Sequence, residues 1–438
     1  MRAVAKFCAM NSLFLCVDIG TSSLKAALID GAGTPLALSR QHFVKSGTRH
    51  ASLEWFPAFC LALREIQTLH PLRGVDALCI SGNGPTLCAQ DGTTLPWHEA
   101  VPSLQTRSLF IPRIVAFKER FGIAFSSSQW LLGAPEFLIW QLTGAVKTIL
   151  PESRYTSAYW TYDTLCSAGL LPHEAQKLPP FCAPATRAGV LHADDCVKRV
   201  AQNGSSRSPK TGQPETEFLY ELEGLPVFYG APDFVSALVG TNTLRVGALC
   251  DRAGSSEGVN LCTDSPVYGT GLRTLPSPIP GLWNVSVLLP DTGIRFAECR
   301  RRLEHFLGTE ITSAQAVDAF FSATEKSPAE LQNGKRVMFS IASEVKNAVH
   351  AVTSAAGLNP PCMTVTGGQA SNSRWNQCKC DVLERTILLP VCTDAELLGD
   401  AIFAATGLGL YDSIQDAADS MCRTARRFEP AICSRSFA

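Results

Sequence analysis

Excess charge of either sign is missing from this chain: 38 lysines and arginines stand against 39 aspartates and glutamates, for a formal net charge of −1. That balance gives no electrostatic case for binding nucleic acid or an anionic membrane. A phosphate-bearing ligand would have to be held by local backbone geometry and by metal. Long apolar runs are missing too. No uncharged apolar run reaches the roughly 18–20 residues that a membrane span requires. Near the start, Arg2 and Lys6 precede an apolar stretch that Asn11, Ser12 and Asp18 interrupt, and no small-residue cleavage site follows, so the segment does not read as a secretory leader. Paired CxxC motifs are absent as well, although there are 17 cysteines. Most sit singly in apolar surroundings, as in Leu15-Cys16-Val17, Leu78-Cys79-Ile80 and Leu261-Cys262-Thr263. An odd number of isolated cysteines reads as small buried hydrophobes in a reducing compartment, so a cytoplasmic location is expected. Cys378-Lys-Cys380 is the closest pair and is a weak metal signal.

What is present is apolar material for more than one core: 438 residues, 46% hydrophobic and 18% charged. That length corresponds to about two or three domains. An apolar strand over Leu13–Val17 ends at Asp18, and Ile19 to Ser23 is a turn of mostly small residues. A second strand spans Leu24–Ile29, and Asp30-Gly-Ala-Gly33 is a hairpin signal before a third strand from Pro35. Helical spacing over Glu54–Leu69 stops at His70-Pro71, and a buried strand follows over Val75–Ile80. Three antiparallel strands, a helix and a further strand open a ribonuclease-H-like half-domain. Further on, a helix over Phe137–Leu142 closes at Thr143-Gly144, and a strand over Leu222–Tyr229 ends in Gly230-Ala-Pro-Asp233. Residues 203–215, polar and rich in Gly, Pro and Ser, read as an exposed insertion. A second set follows: Gly254-Ser-Ser-Glu-Gly258 before a strand, a helix over Met338–Thr353, a strand over Met363–Thr366 running into Gly367-Gly368, and a helix over Leu397–Thr406. The strand–turn–strand unit thus occurs twice, with a lobe boundary expected near residue 246.

Two kinds of residue carry the chemistry. Asp18 ends a buried strand, Gly20 lets a ligand approach the backbone, and the N–H groups and hydroxyls of Thr21, Ser22 and Ser23 can ring phosphate oxygens; Lys25 closes the segment. Asp18 would hold Mg²⁺ against those phosphates. The same residues also suit a plain hairpin. Asp233 is a second carboxylate at a strand end, placed either to cap the helix that starts with Phe234 or to accept a proton from an attacking hydroxyl. Gly254, Ser255 and Ser256 repeat the small-residue turn. Gly367 and Gly368 open a helix containing Asn372, whose bare N–H groups suit a nucleotide, or else form a flexible turn.

In that order the segments resemble the FGGY carbohydrate kinases, relatives of glycerol kinase and xylulokinase. The likeness runs from Leu13 to about Pro430 through Asp18–Lys25, Trp140–Gly144, Gly230–Gly240, Gly254–Gly258, Thr366–Asn372, Trp375–Leu383 and Glu396–Ile402. It implies an α/β fold of two ribonuclease-H-like lobes of the actin and hexokinase ATPase type, with an interlobe cleft. Residues 1–246 would form the sugar-binding lobe and 247–438 the nucleotide-binding lobe. It further implies ATP and Mg²⁺ as cofactors and Asp233 as general base with Phe234 beside the substrate. Asp18, Gly20, Thr21, Ser22, Ser23 and Lys25 would form the first phosphate turn, and Gly254, Ser255 and Ser256 the second. Gly367, Gly368 and Asn372 would bind the nucleotide, and Asp18 and Asp233 would hold the metal through water.

The pattern departs from the family at the sugar. A Gln-Met-His-Gly turn is usual after the strand equivalent to Val75–Ile80, and here Ser81-Gly-Asn-Gly-Pro85 stands. The Trp-x-Asp-x-Arg segment is absent, with Pro96-Trp97-His98-Glu99 nearby, and the Arg-Glu of glycerol kinases is missing. Asn83 and Trp97 are therefore the candidate sugar contacts, Asn83 being equally suited to a left-handed turn. Poor use of D-xylulose is expected. The reading is phosphorylation of a small ketose or polyol, with a catalytically weak sugar- or nucleotide-binding regulator on the same fold as the alternative. Beyond the sugar, neither nucleic acid nor membrane is an expected partner, and a homodimer is the assembly considered. Residues 1–10 show no periodicity, and Met10 is a candidate start. Deleting residues 1–10 is expected to leave the melting temperature unchanged within error in a thermal scan, whereas a large drop would show that they pack on the first lobe.

Overall fold

The computed structural model describes residues 11–44, 48–202, 216–254 and 256–431. The expected insertion at 203–215, the segment 1–10 and Ser255 lie outside the described residues. Two compact units emerge: residues 1–240 with 396–421, and residues 241–395 with 422–438. The chain changes unit between Gly240 and Thr241, near the boundary expected at 246. Segment 396–421, expected in the second lobe, packs with the first. Its apolar helix explains the return, since a helix buried this completely needs a core to enter.

In the first unit, β1 (Leu13–Ile19) pairs antiparallel with β2 (Ser23–Asp30), and β2 with β3 (Pro35–His42). β1 is a continuous apolar run and lies inside the sheet; β3 alternates exposed and buried residues and lies at its edge. Helix α1 (Trp55–Leu69) buries Trp55, Phe59, Leu63 and Ile66 on this core and stops before Pro71, where the residue preceding a proline leaves helical geometry. Each such side chain contributes about 1.5–3 kcal/mol when fully buried. The strand β4 (Ala77–Gly82) then pairs parallel with β1. Helix α2 (Ala134–Thr143) ends at Gly144 with φ 78°, the left-handed C-cap that glycine favours. The strands β5 (Arg187–Val190) and β6 (Pro226–Pro232) complete the order β5-β6-β4-β1-β2-β3, with β6 parallel to β4. β6 starts four residues later than its apolar pattern suggested, because Glu217–Leu222 forms a 3₁₀ turn and Gly224 breaks the chain direction at φ 78°. Helix α3 (Asp233–Gly240) follows β6 directly.

The second unit repeats this plan. β7 (Leu249–Ala253) pairs antiparallel with β8 (Glu257–Thr263), and β9 (Arg273–Pro276) and β10 (Trp283–Leu289) extend the sheet beyond β8. After the long helix α4 (Ala329–Ala356), β11 (Cys362–Thr366) pairs parallel with β7. Helix α5 (Ser373–Leu383) leads to β12 (Thr386–Pro390), parallel to β11. Helix α6 (Ala395–Gly407) then carries the chain back into the first unit, and β13 (Thr424–Phe428) closes the second sheet against β12. Antiparallel β1–β2 with parallel β1–β4–β6 matches antiparallel β7–β8 with parallel β7–β11–β12. The duplication seen in the sequence is therefore a duplication of topology.

A buried ion cluster braces the second unit. Lys379, on α5, reaches Asp251 Oδ2 of β7 at 2.6 Å and Glu257 Oε1 at the start of β8, all three side chains being essentially inaccessible. Burial works against the ammonium, but the two carboxylates outweigh it and hold Lys379 above the ordinary lysine range. Burial first, then the Asp251 charge, pushes Glu257 up to about 8, with Lys379 opposing. Lys379→Met would leave two acids buried without a counter-charge, a change that typically costs roughly 3–5 kcal/mol. Urea unfolding is expected to show that loss, and to show most of it recovered in the Asp251→Asn, Glu257→Gln, Lys379→Met triple variant.

Candidate active site

Parallel pairing sets the site. Asp18 is in register with Ser81, Ile19 with Gly82, and Gly82 with Pro232. The chain therefore leaves three neighbouring strands at one level: into Gly20 from β1, Asn83 from β4 and Asp233 from β6. Ligands of parallel α/β sheets bind outside such carboxyl ends.

At the first strand end Asp18 is buried, and its Oδ2 lies 3.8 Å from Lys25 Nζ, which lies 3.7 Å from Glu396 Oε2 of α6. The turn is closed by Gly20 N–H donating to the Ser23 carbonyl at 3.0 Å. Thr21 and Ser22 are exposed there and Ser23 is buried. Asp233 is half-buried at the first position of α3, with Oδ1 accepting the Phe234 N–H at 2.6 Å. The carboxylate thus sits at the helix N-terminus, where the dipole favours its charged form. Phe234 tilts against Tyr155, with ring centroids 6.4 Å apart.

Asn83 is tied into the fold. Its Nδ2 donates to the Ile19 carbonyl at 3.0 Å, its backbone N–H donates to the same oxygen at 2.8 Å, and its Oδ1 accepts the Thr86 hydroxyl at 2.5 Å. Left-handed geometry is not the reason for an asparagine here, because Asn83 is not among the residues with positive φ. Trp97 is exposed, and its indole N–H donates to Thr21 Oγ1 at 2.8 Å, which connects it to the turn after β1.

Beside these turns, an open cavity is lined by Asn83, Phe110, Glu136, Thr148, Tyr159 and Trp160 among others, and by Pro232, the residue before Asp233. Trp97 is not in its wall. Phe110 stacks on Tyr159 at 4.4 Å between ring centroids and meets Trp160 edge-on at 5.3 Å. Glu136 is buried, with Oε1 accepting the Ile149 N–H at 2.9 Å, and burial pushes its carboxyl up to about 7. The sequence reading missed Phe110, Glu136, Tyr159 and Trp160. Of this region the sequence reading singles out only Trp140–Gly144, because Phe110, Tyr159 and Trp160 lie in irregular chain between elements, where there is no periodic signal.

In the second unit, the end of β7, the start of β8 and the end of β11 meet in the same way: Ala253 is opposite Glu257, and Arg252 is level with Thr366. Gly254 is exposed and Ser256 half-buried. Gly367 follows β11 with φ 93°, and Gly368 is exposed with open space where a side chain would stand. Asn372 is the N-cap of α5, its side chain accepting the Trp375 N–H at 3.0 Å. A helix capped in this way keeps a defined N-terminus, as anion binding requires.

Comparison with known proteins follows the same lines. Residues 312–408 match the C-terminal domain of the FGGY family of carbohydrate kinases. The autoinducer-2 kinase of Yersinia enterocolitica is 31% identical over 77 residues, 18% of this chain and 15% of its own length. The glycerol kinase of Citrifermentans bemidjiense is 35% identical over 92 residues, 21% of this chain and 18% of its own. The matched segments thus span well under a quarter of these relatives. Among solved structures, the xylulose kinase of Lactobacillus acidophilus superposes with a TM-score of 0.72 at 15% identity, covering 96% of this chain and 94% of that one. The glycerol kinase of Plasmodium falciparum, solved with ADP, gives 0.70 at 13% identity with the same coverage. The fold is therefore the mixed α/β, two-lobed, actin-like fold of sugar kinases. The match to the FGGY C-terminal domain over residues 312–408 agrees with the resemblance read from the sequence.

Asn83→Ala removes two side-chain hydrogen bonds from a buried turn and keeps the backbone one to Ile19. Leaving Thr86 and the Ile19 carbonyl under-satisfied is expected to cost about 1–3 kcal/mol by chemical denaturation. Displacing the cavity wall is expected to raise KM for the sugar while leaving KM for ATP unaltered. A variant as stable as the parent would show that these contacts do not brace the turn.

Proposed function

We propose that this chain transfers the γ-phosphoryl group of ATP to a hydroxyl of a small, uncharged ketose or polyol. The observation that carries the reading is the levelling of three parallel strand ends, which puts the Asp18 turn, the Asn83 turn and Asp233 along one sheet edge. Phosphoryl transfer needs little covalent help from the protein; it needs positioning, charge stabilisation and a group to take the hydroxyl proton. Asp233 suits the last role. Its carboxylate is half-buried, so it stays reachable, and the N-terminus of α3 stabilises its charge.

The residues present fit the cofactors. Asp18 and Asp233 offer the hard carboxylate oxygens that Mg²⁺ prefers, directly or through water. Bound there, Mg²⁺ would neutralise phosphate charge. Gly20, Thr21, Ser22 and Ser23 offer N–H and hydroxyl donors for phosphate oxygens, and Lys25 adds a positive charge beside Asp18. In the second unit Gly254, Ser255 and Ser256 would serve the phosphates, and Gly367, Gly368 and Asn372 the nucleotide. One fold relative, the glycerol kinase of Plasmodium falciparum, was solved with ADP, which agrees with nucleotide use.

The cavity limits the sugar. Phe110, Tyr159 and Trp160 suit the C–H face of a polyol, and among the described residues no Lys, Arg or His lines the wall. A carboxylate or phosphate on the substrate would find no counter-charge there. Neutral sugars are therefore favoured over sugar acids and sugar phosphates.

One observation favours a weakly catalytic binder instead: Asn83 uses its polar atoms on Ile19 and Thr86, where kinases of this type place sugar contacts. Coupled ADP release with a panel of neutral and acidic sugars separates the two, since a regulator would bind without turnover. With the best sugar, Asp233→Asn is expected to lower kcat by about 10²–10⁴-fold while nucleotide affinity stays nearly intact. A kcat within a few-fold of the parent would remove Asp233 from the base role.

A further inference from the structure

One buried acid of the first unit has no part in the chemistry above. Asp400 lies in α6, the helix that brings the chain back from the second unit, and its side chain is inaccessible to solvent. Its Oδ2 accepts the Ser81 hydroxyl at 2.8 Å, and its Oδ1 lies 3.4 Å from the Ser236 hydroxyl, a long hydrogen bond. Ser81 stands two residues before Asn83 in β4. Ser236 lies three residues after Asp233, within the first turn of α3.

The backbone is shaped to admit this contact. A side chain on Gly399 would meet the Ser236 carbonyl at 2.1 Å, so α6 lies directly on the backbone of α3. A side chain on Gly230 would come within 2.7 Å of Asp400 Oδ1, so β6 leaves the space that the carboxyl fills. The same helix places Glu396 beside Lys25, one turn before Asp400. Three separated stretches of the chain, β4, the continuous β6–α3 segment and α6, therefore meet at one carboxyl.

Burying a carboxyl is unfavourable unless its oxygens are satisfied. Burial, and after it the nearby Asp18 charge, drives Asp400 well above the ordinary carboxylate range, with Ser81 and Ser236 opposing. A neutral carboxyl both donates and accepts, as an asparagine amide does. The cost of burying an acid here is repaid by what it joins.

Resting on the kinase reading above, we propose that Asp400 is a positioning residue: its carboxyl joins the end of β4 to the helix begun by Asp233, holding the cavity turn and the base in one frame. Misplacement by about 1 Å can cost as much as 10²-fold in rate. Asp400→Ala should accordingly lower kcat/KM for the sugar by about 10–100-fold and leave KM for ATP within about twofold. Asp400→Asn, which keeps the shape and both polar positions, should recover most of that loss.

An exchange measurement that needs no turnover accompanies the kinetics. By hydrogen–deuterium exchange, peptides covering 81–86 and 233–240 should lose protection in Asp400→Ala and regain it in Asp400→Asn, with the second unit unchanged. Should Asp400→Ala fail to fold, Ser236→Ala removes one arm alone, and is expected to show the same changes to a smaller extent. Parent-like exchange and kinetics in the alanine variants would overturn the proposal, as would failure of Asn to restore either. If the parent chain turns over no sugar, the kinase reading falls by itself, and the exchange data still decide whether Asp400 joins the two elements.

Discussion

Everything proposed for the first unit depends on one constraint, the parallel register that ties β1 to β4 and β4 to β6. Hydrogen bonding fixes Ile19, Gly82 and Pro232 at the same height. Because side chains alternate along a strand, a slip of one residue would turn every core side chain of a strand to the opposite face. In β1 both faces are packed, with Phe14, Leu15, Cys16, Val17 and Ile19 all inaccessible, so a slip would exchange and repack two fitted surfaces at once. The hydrophobic effect thus sets the level of three turns that contain almost no hydrophobic residues. The second unit obeys the same rule through β7, β8 and β11, where Ala253, Glu257 and Thr366 mark the common edge.

Behind each set of turns lies a buried polar node. Asp400 joins β4 to α3 in the first unit, and Lys379 joins β7 and β8 to α5 in the second. Neither is an efficient source of stability, since polar and charged groups removed from water recover little more than they lose. Both connect elements that apolar contacts alone would leave free to shift by fractions of an ångström. Apolar packing tolerates sliding between surfaces of similar shape, whereas a hydrogen bond at 2.6–2.8 Å does not. Such nodes suit a protein whose candidate chemistry depends on position.

The sequence by itself determined the local elements. Asp30-Gly-Ala-Gly33 specified a hairpin, His70-Pro71 a helix stop, and Thr143-Gly144 a C-cap, and each does so in the structure because turn and cap preferences are local. It also marked the strand-end residues Asp18 and Asp233, and the repeated strand–turn–strand plan, since a buried strand that ends in small polar residues announces itself. Tertiary structure decided the rest. That α6 packs with the first unit depends on Gly399 lying against Ser236, 163 positions earlier in the sequence. No local signal told the wall-lining Tyr159 and Trp160 from ordinary core aromatics, or assigned Trp97 to Thr21 instead of the cavity. Asp400 read as one more polar residue in a small-residue helix. Its meaning comes only from Ser81 and Ser236, because burial and hydrogen-bond partners are properties of the folded chain, and periodicity records only which face of an element is apolar.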